Sequence, residues 1–242
     1  MNEATPERFP KMSFVGIDGV LVRFGAKMCD AANAAALAFH QHIEKIALAG
    51  VLEAAPSLTA VFLRLDLDAD LERLVHRISK EVDAKNWFED PLEKRRKWTI
   101  PCSFDGRQLT EAAQLAGVSD AQAVAQITAT EVRVLTLGFA PGQPYLGSLD
   151  PHWDIPRMDG IAPNVPACAL VVAVGQLIIF ANEAPTGWRH IGQTAFRCFD
   201  QSRAEPFAFQ AGDLVQFKSA ARSEIEALQS DNFGGAKLEV LS

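Results

Sequence analysis

The chain has 242 residues, of which 48% are hydrophobic and 22% charged, enough for one large domain or two modest ones with real cores. A net charge of −7 excludes a general nucleic-acid surface, which needs clustered Lys and Arg. The single basic run, Lys94-Arg-Arg-Lys97, follows Glu89, Asp90 and Glu93 and reads as a solvated face. Residues 1–11 are polar with Pro6 and Pro10, so no secretory leader is expected, and no apolar run reaches the length of a membrane span. The four cysteines, Cys29, Cys102, Cys168 and Cys198, form no Cys-x-x-Cys pair; free thiols in a reducing cytoplasm are the simplest account.

In chain order, Phe14 to Phe24 reads as two short strands about Asp18-Gly19. Asp30 then suits the cap of an alanine-rich helix over 31–49, closed by Gly50. A β-rich run spans Thr59 to Leu65. Leu71, Leu74, Val75, Ile78 and Val82 follow at helical spacing, predicting a helix over 69–84. Alternating strands and helices predict a ferredoxin-like α/β sandwich over 1–85. Pro91 and mixed charges mark 86–98 as a linker. A second domain, 99–242, opens with a short strand at 99–104 and helical segments at 108–116 and 120–127. It then turns to strands at 132–137, 169–181, 195–199 and 214–218, with a closing helix at 223–229 and a loose tail from Asp231. The fold class expected is therefore α+β.

Familiar site motifs are mostly absent. Asp66-Leu-Asp-Leu-Asp-Ala-Asp opens like a calcium loop but has no glycine at the sixth position and Arg77 at the twelfth. His40 and His42 lie about 200° apart around a helix and cannot converge on one metal. His76, His152 and His190 have no ligand-spaced neighbour, and neither familiar nucleotide loop is present.

The most shaped stretch is Leu137-Gly-Phe-Ala-Pro-Gly-Gln-Pro-Tyr-Leu-Gly147, with three glycines and two prolines in eleven residues. Pro141 presets φ near −65° and Gly142 accepts positive φ, so Ala140–Gln143 fits a type II turn. Phe139 and Tyr145, the only tyrosine, project from this stiff frame as a ligand lip or as cover for a core.

Three segments in fixed order, Leu137 to Leu149, Ile155-Pro-Arg157 and Pro185-Thr-Gly-Trp-Arg-His-Ile-Gly-Gln-Thr194, are followed by Gln210-Ala-Gly-Asp-Leu-Val-Gln-Phe217. Together they resemble the carboxyltransferase-domain family that contains allophanate hydrolase subunit 1, the B subunit of 5-oxoprolinase and an inhibitor of sporulation kinase A. The resemblance implies a ferredoxin-like domain followed by a cyclophilin-like β-barrel. It also implies a companion chain with the second carboxyltransferase domain, a small amide or carboxylate substrate, and ATP held by one chain or the other. The kinase-inhibitor relatives imply an alternative, a non-catalytic regulatory or binding module. Phe139, Gly142, Tyr145, Arg157, Thr186, Gly187, Trp188 and Thr194 become the candidate binding residues, Arg157 as the anion contact and Trp188 as a pocket wall. A surface ion pair for Arg157 and a core role for Trp188 are the plain alternatives. No base or nucleophile emerges. Departures are Gln143 for an aromatic, Thr186 for a glycine, Gln193 for an arginine, and no second Pro-Arg at Ala162-Pro-Asn164. Glutamine cannot replace the charge of an arginine fork, so a retained cleft should prefer a less anionic ligand.

Overall fold

The computed structural model describes residues 8–89 and 95–241, which fall into two compact units. The first runs β1 (Lys11–Val15), β2 (Gly19–Arg23), α1 (Asp30–Ile46), β3 (Val51–Ser57), β4 (Ala60–Leu65) and α2 (Leu71–Val82). Its antiparallel sheet has the order β1-β2-β4-β3. Strand period two sends Val20, Val22, Val61, Leu63 and Leu65 to one face, where they meet Phe39 and Ile43 of α1 and Leu74 and Ile78 of α2. The Asp70 carboxylate caps α2 by accepting from the Arg73 N–H at 3.1 Å. Expectation and structure differ at α1: Cys29, not Asp30, holds the N-cap position, and Ala47 in the left-handed region ends the helix before Gly50. Strand β3 was not expected; its edge position in the sheet accommodates Pro56, which cannot donate to a ladder.

The second unit contains β5 (Arg95–Cys102), α3 (Leu109–Leu115), α4 (Asp120–Ala129), β6 (Glu131–Leu137), β7 (Pro144–Gly147) and β8 (Ala162–Val165). There follow β9 (Ala169–Ala173), β10 (Gln176–Ile179), β11 (Ala184–Thr186), β12 (Arg189–Gln193), β13 (Leu214–Ser219), α5 (Arg222–Ala227) and β14 (Lys237–Leu241). Eight strands form one sheet in the order β12-β9-β10-β7-β6-β13-β5-β14, and β8 pairs with β11 apart from it. Just beyond β5, Ser103 exchanges backbone hydrogen bonds with Gln193 of β12 at 2.8 and 2.9 Å, joining the end of β5 to the far strand of the sheet. Ile100, Val134, Leu146, Leu170, Val172, Leu177, Ile191 and Phe217 fill the core, with Trp98 against Phe196 and Phe209.

Four expectations are corrected here. The linker is shorter than 86–98, because Trp87 lies in the first core, donating to the Val82 carbonyl at 2.8 Å, and β5 begins at Arg95; residues 90–94 lie outside the described residues. The run 169–181 is a hairpin, turned at Val174 and Gly175, both at positive φ. Residues 195–199 form no strand; β12 precedes them, and Phe199 makes only an isolated bridge to Phe207. The tail is anchored, since β14 pairs antiparallel with β5. Gly234 makes that return possible: a Cβ there would lie 2.3 Å from the Ala195 carbonyl oxygen.

Candidate functional site

β6 delivers the chain into the proline–glycine loop and β7 takes it away. The expected turn is present: the Gln143 N–H donates to the Ala140 carbonyl at 3.1 Å and Gly142 has φ +70°. The Gly138 N–H closes the loop on the Gln143 carbonyl at 3.0 Å. Phe139, itself at φ +73°, stands 79% exposed at the lip. Only an over-determined loop holds a bulky residue in that region.

Beside this loop is a cavity of about 260 Å³, lined by Phe139, Tyr145, Arg157, Thr186, Gly187 and Trp188, with Gln143, Phe180 and Ile178 also facing it. The Tyr145 and Trp188 rings meet edge to face with centroids 6.3 Å apart. The Arg157 guanidinium carbon sits 5.4 Å from the Trp188 ring centroid, a cation–π placement at the cavity wall. The Thr186 hydroxyl accepts from the Trp188 N–H at 3.0 Å, and the Gly187 carbonyl accepts from the Met158 N–H at 2.7 Å, tying Arg157's segment to β11.

Two candidates lie elsewhere. Gly142 serves packing: a Cβ there would come 2.7 Å from the Cys198 carbonyl oxygen. Thr194 is buried, donating to the Cys168 carbonyl at 2.9 Å and accepting from the Phe196 N–H at 3.2 Å.

Sequence reasoning missed two supports. Arg189, only 5% exposed, pairs with Glu111 at 2.9 Å and donates to the Pro156 carbonyl, so β12 and α3 together position Arg157. Its signal was its place beside Trp188 in the third motif. Gln143, read only as a lost aromatic, is buried and accepts from the Ala181 N–H at 3.2 Å. The departure Gln193 does not face the aromatic cavity at all; it lines a second, more polar one.

Among the lining residues no carboxylate, imidazole or thiol is present, so the aromatic cavity can bind and orient but offers no general base. It also does not fit a triphosphate. Its volume is below the roughly 300–1,000 Å³ of pockets for larger ligands, and one guanidinium without a glycine-rich cradle would face several phosphates. No group of three or more His, Cys, Asp or Glu suited to a metal occurs among the described residues. No helix among them is long and apolar enough to cross a membrane.

A mostly-sheet α+β chain with an aromatic cavity shaped by a proline–glycine loop defines a class, and the family comparison names it. The chain belongs to the carboxyltransferase domain, subdomain C and D, family, whose model matches residues 10–209. Among its relatives, the B subunit of 5-oxoprolinase from Bacillus subtilis (strain 168) is 26% identical over 230 residues, 90% of this chain and 96% of that protein. The protein of the same name from Escherichia coli O157:H7 is 34% identical over 179 residues, 69% and 77% of the two chains. The solved structure of TTHA0988 superposes with a TM-score of 0.73 at 30% identity, over 84% of this chain but 40% of that one.

Proposed function

We propose that the chain is the substrate-positioning subunit of a cytoplasmic, ATP-dependent amidohydrolase of the 5-oxoprolinase or allophanate hydrolase type. It acts with a companion chain carrying the second carboxyltransferase domain. The carrying observation is the cavity in which Tyr145, Trp188 and Arg157 converge on the proline–glycine loop. Flat aromatic walls suit a small cyclic amide, and the guanidinium suits its carboxylate. The absence of a base from the lining supports a division of labour in which the companion supplies the chemistry and the nucleotide site. The share of TTHA0988 that this chain spans, 40%, leaves room there for a companion portion.

Two fold readings accompany this. The order β1-β2-β4-β3 is that of a ferredoxin-like sheet whose last strand has moved to the front of the chain, which supports that reading for residues 1–85. The Ser103–Gln193 bridge supports a cyclophilin-like barrel for 99–242.

The test is 5-oxoproline-dependent ATP hydrolysis by the chain co-purified with its companion. Arg157→Ala is expected to raise KM more than it lowers kcat, since the lost contact binds ground and transition states alike. Failure to form any complex by light scattering overturns the reading, as does unchanged KM in the variant. A second reading, a regulatory module without turnover, is favoured by the apolar rim of exposed Phe139 and Ile161. It predicts that a complex forms and Phe139→Asp dissolves it, with no ATP hydrolysis in any variant.

A further inference from the structure

Where Ser103 meets Gln193, a second cavity of about 470 Å³ opens, lined by Asp105, Arg107, Gln108, His190, Gln193 and Arg222 among others. These side chains come from the turn after β5, from β12 and from the start of α5. The turn is seated firmly: a Cβ on Gly106 would lie 2.4 Å from the His190 carbonyl oxygen, and the Gln108 side-chain carbonyl accepts from the His190 N–H at 3.1 Å. Asp105 accepts from the Ser103 hydroxyl at 2.8 Å and from Arg222 at 3.1 Å, while Arg222 also pairs with Glu226 at 3.2 Å. His190 Nε2 lies 2.9 Å from the Gly192 carbonyl and therefore carries the proton, leaving Nδ1 free to accept when the ring is neutral. Gln193 Nε2 donates to the Ala167 carbonyl at 2.8 Å.

Arg107 differs from all of these. Among the described residues it has neither an ion-pair nor a hydrogen-bond partner. The rim thus carries one spoken-for guanidinium, one idle guanidinium and one carboxylate already bridged to Arg222, around a floor of imidazole and amides. The idle fork matches the geometry of a carboxylate or phosphate, and the neutral floor matches uncharged polar atoms.

We propose that this cavity is an oxyanion-binding site, in which Arg107 grips the carboxylate or phosphate of a small ligand and Gln108, Gln193 and His190 hold its polar remainder. The site is separate from the aromatic cavity, and it stands or falls independently of the amidohydrolase reading. Charge balance agrees with that placement: burial lowers the His190 pKa first, Arg107 and Arg222 add to the lowering, and the Gly192 hydrogen bond and Asp105 act against it, so the ring is a neutral partner near pH 7.

Titration calorimetry on the full chain, with sodium succinate and separately with inorganic phosphate, tests the proposal. Saturable binding of at least one is expected, weakened about tenfold or more in Arg107→Ala and less in Arg107→Lys, which keeps the charge but loses the fork. Which of the two binds tells carboxylate from phosphate. Arg64→Ala, which removes an exposed cation of the first unit paired with Glu53, should leave the affinity unchanged. Saturable binding of neither anion overturns the proposal, as does affinity retained in Arg107→Ala or lost equally in Arg64→Ala. Arg107 is exposed and without partners, so its variants should melt with the parent chain.

Discussion

Asp213 offers the sharpest test of how the second unit is held together. Its carboxylate is 3% exposed and accepts from Arg96 Nε at 2.8 Å, from the Trp98 indole at 3.2 Å and from the Gln210 N–H at 2.9 Å. A second nitrogen of Arg96 reaches both that carboxylate and the Ala208 carbonyl. One side chain thus ties the turn before β13 to the first half of β5. Asp213→Ala strips the anion from a guanidinium that is 18% exposed and also leaves the Trp98 indole and the Gln210 N–H without their acceptor. Breaking a buried pair by removing one partner costs roughly 3–5 kcal/mol. Water reaching the exposed side of Arg96 offsets part of this, so a loss of about 3–4 kcal/mol is expected. At roughly 2–4 °C per kcal/mol, the second unit's melting temperature should fall by about 6–16 °C. Calorimetry and urea titration measure it, and Asp213→Asn, which keeps an acceptor, should lose less. Adding Arg96→Met to Asp213→Ala should restore part of the loss, because no buried cation is then left alone. A loss below about 1 kcal/mol, or strictly additive effects in the double variant, would refute the pairing argument.

Two further outcomes follow from titrating groups. Burial pushes the Cys168 thiol up to about 11 and raises those of Cys102 and Cys198 as well, whereas Cys29 is exposed. A colorimetric thiol titration near neutral pH should therefore find one fast thiol in the folded chain and four after denaturation, and two or more fast thiols would contradict the burial of Cys102 and Cys198 and the raised pKa of half-buried Cys168. For His190, burial and the cations of Arg107 and Arg222 outweigh the Gly192 hydrogen bond and Asp105, so its folded pKa lies below the ordinary 6.5. The unfolded chain then binds the proton first, and stability should decline as pH falls from 6.5 through the folded value. Replacing His190 by Gln should flatten that part of the melting-temperature profile; an unchanged slope would sink the assignment.

Local chemistry decided what could be read ahead of the structure. The Ala140–Gln143 turn was legible because proline and glycine fix φ by themselves, and Phe139, Tyr145, Arg157 and Trp188 converge because the motifs that carry them frame one cavity. Helix α2 was legible from its apolar period, and its carboxylate cap is one residue before Leu71. What escaped depends on distant partners. Nothing near Arg189 in sequence points to Glu111 or Pro156, and nothing in Val174-Gly175 resembles the usual Asn-Gly hairpin signal. Strand β14 is visible only through β5, and Thr194 and Gly142 are spent on backbone neighbours that only the fold supplies.

The same distinction changes the meaning of the departures from the family pattern. Read in line, Thr186 and Gln193 sit seven residues apart in one motif and suggest the erosion of one site. In space they divide: Thr186 borders the aromatic cavity, where its hydroxyl orders the Trp188 N–H, and Gln193 borders the polar one, beside Arg107 and His190. The first change adds a side-chain hydrogen bond within the wall of its cavity. The second removes a possible guanidinium from a cavity that still holds two others. Neither cavity is stripped of its means of binding, so the physical prediction is altered ligand preference at two separate places. Reverting Thr186→Gly should accordingly affect only ligands of the aromatic cavity, and Gln193→Arg only anions held near Arg107; cross-effects of equal size would show that the two cavities act as one.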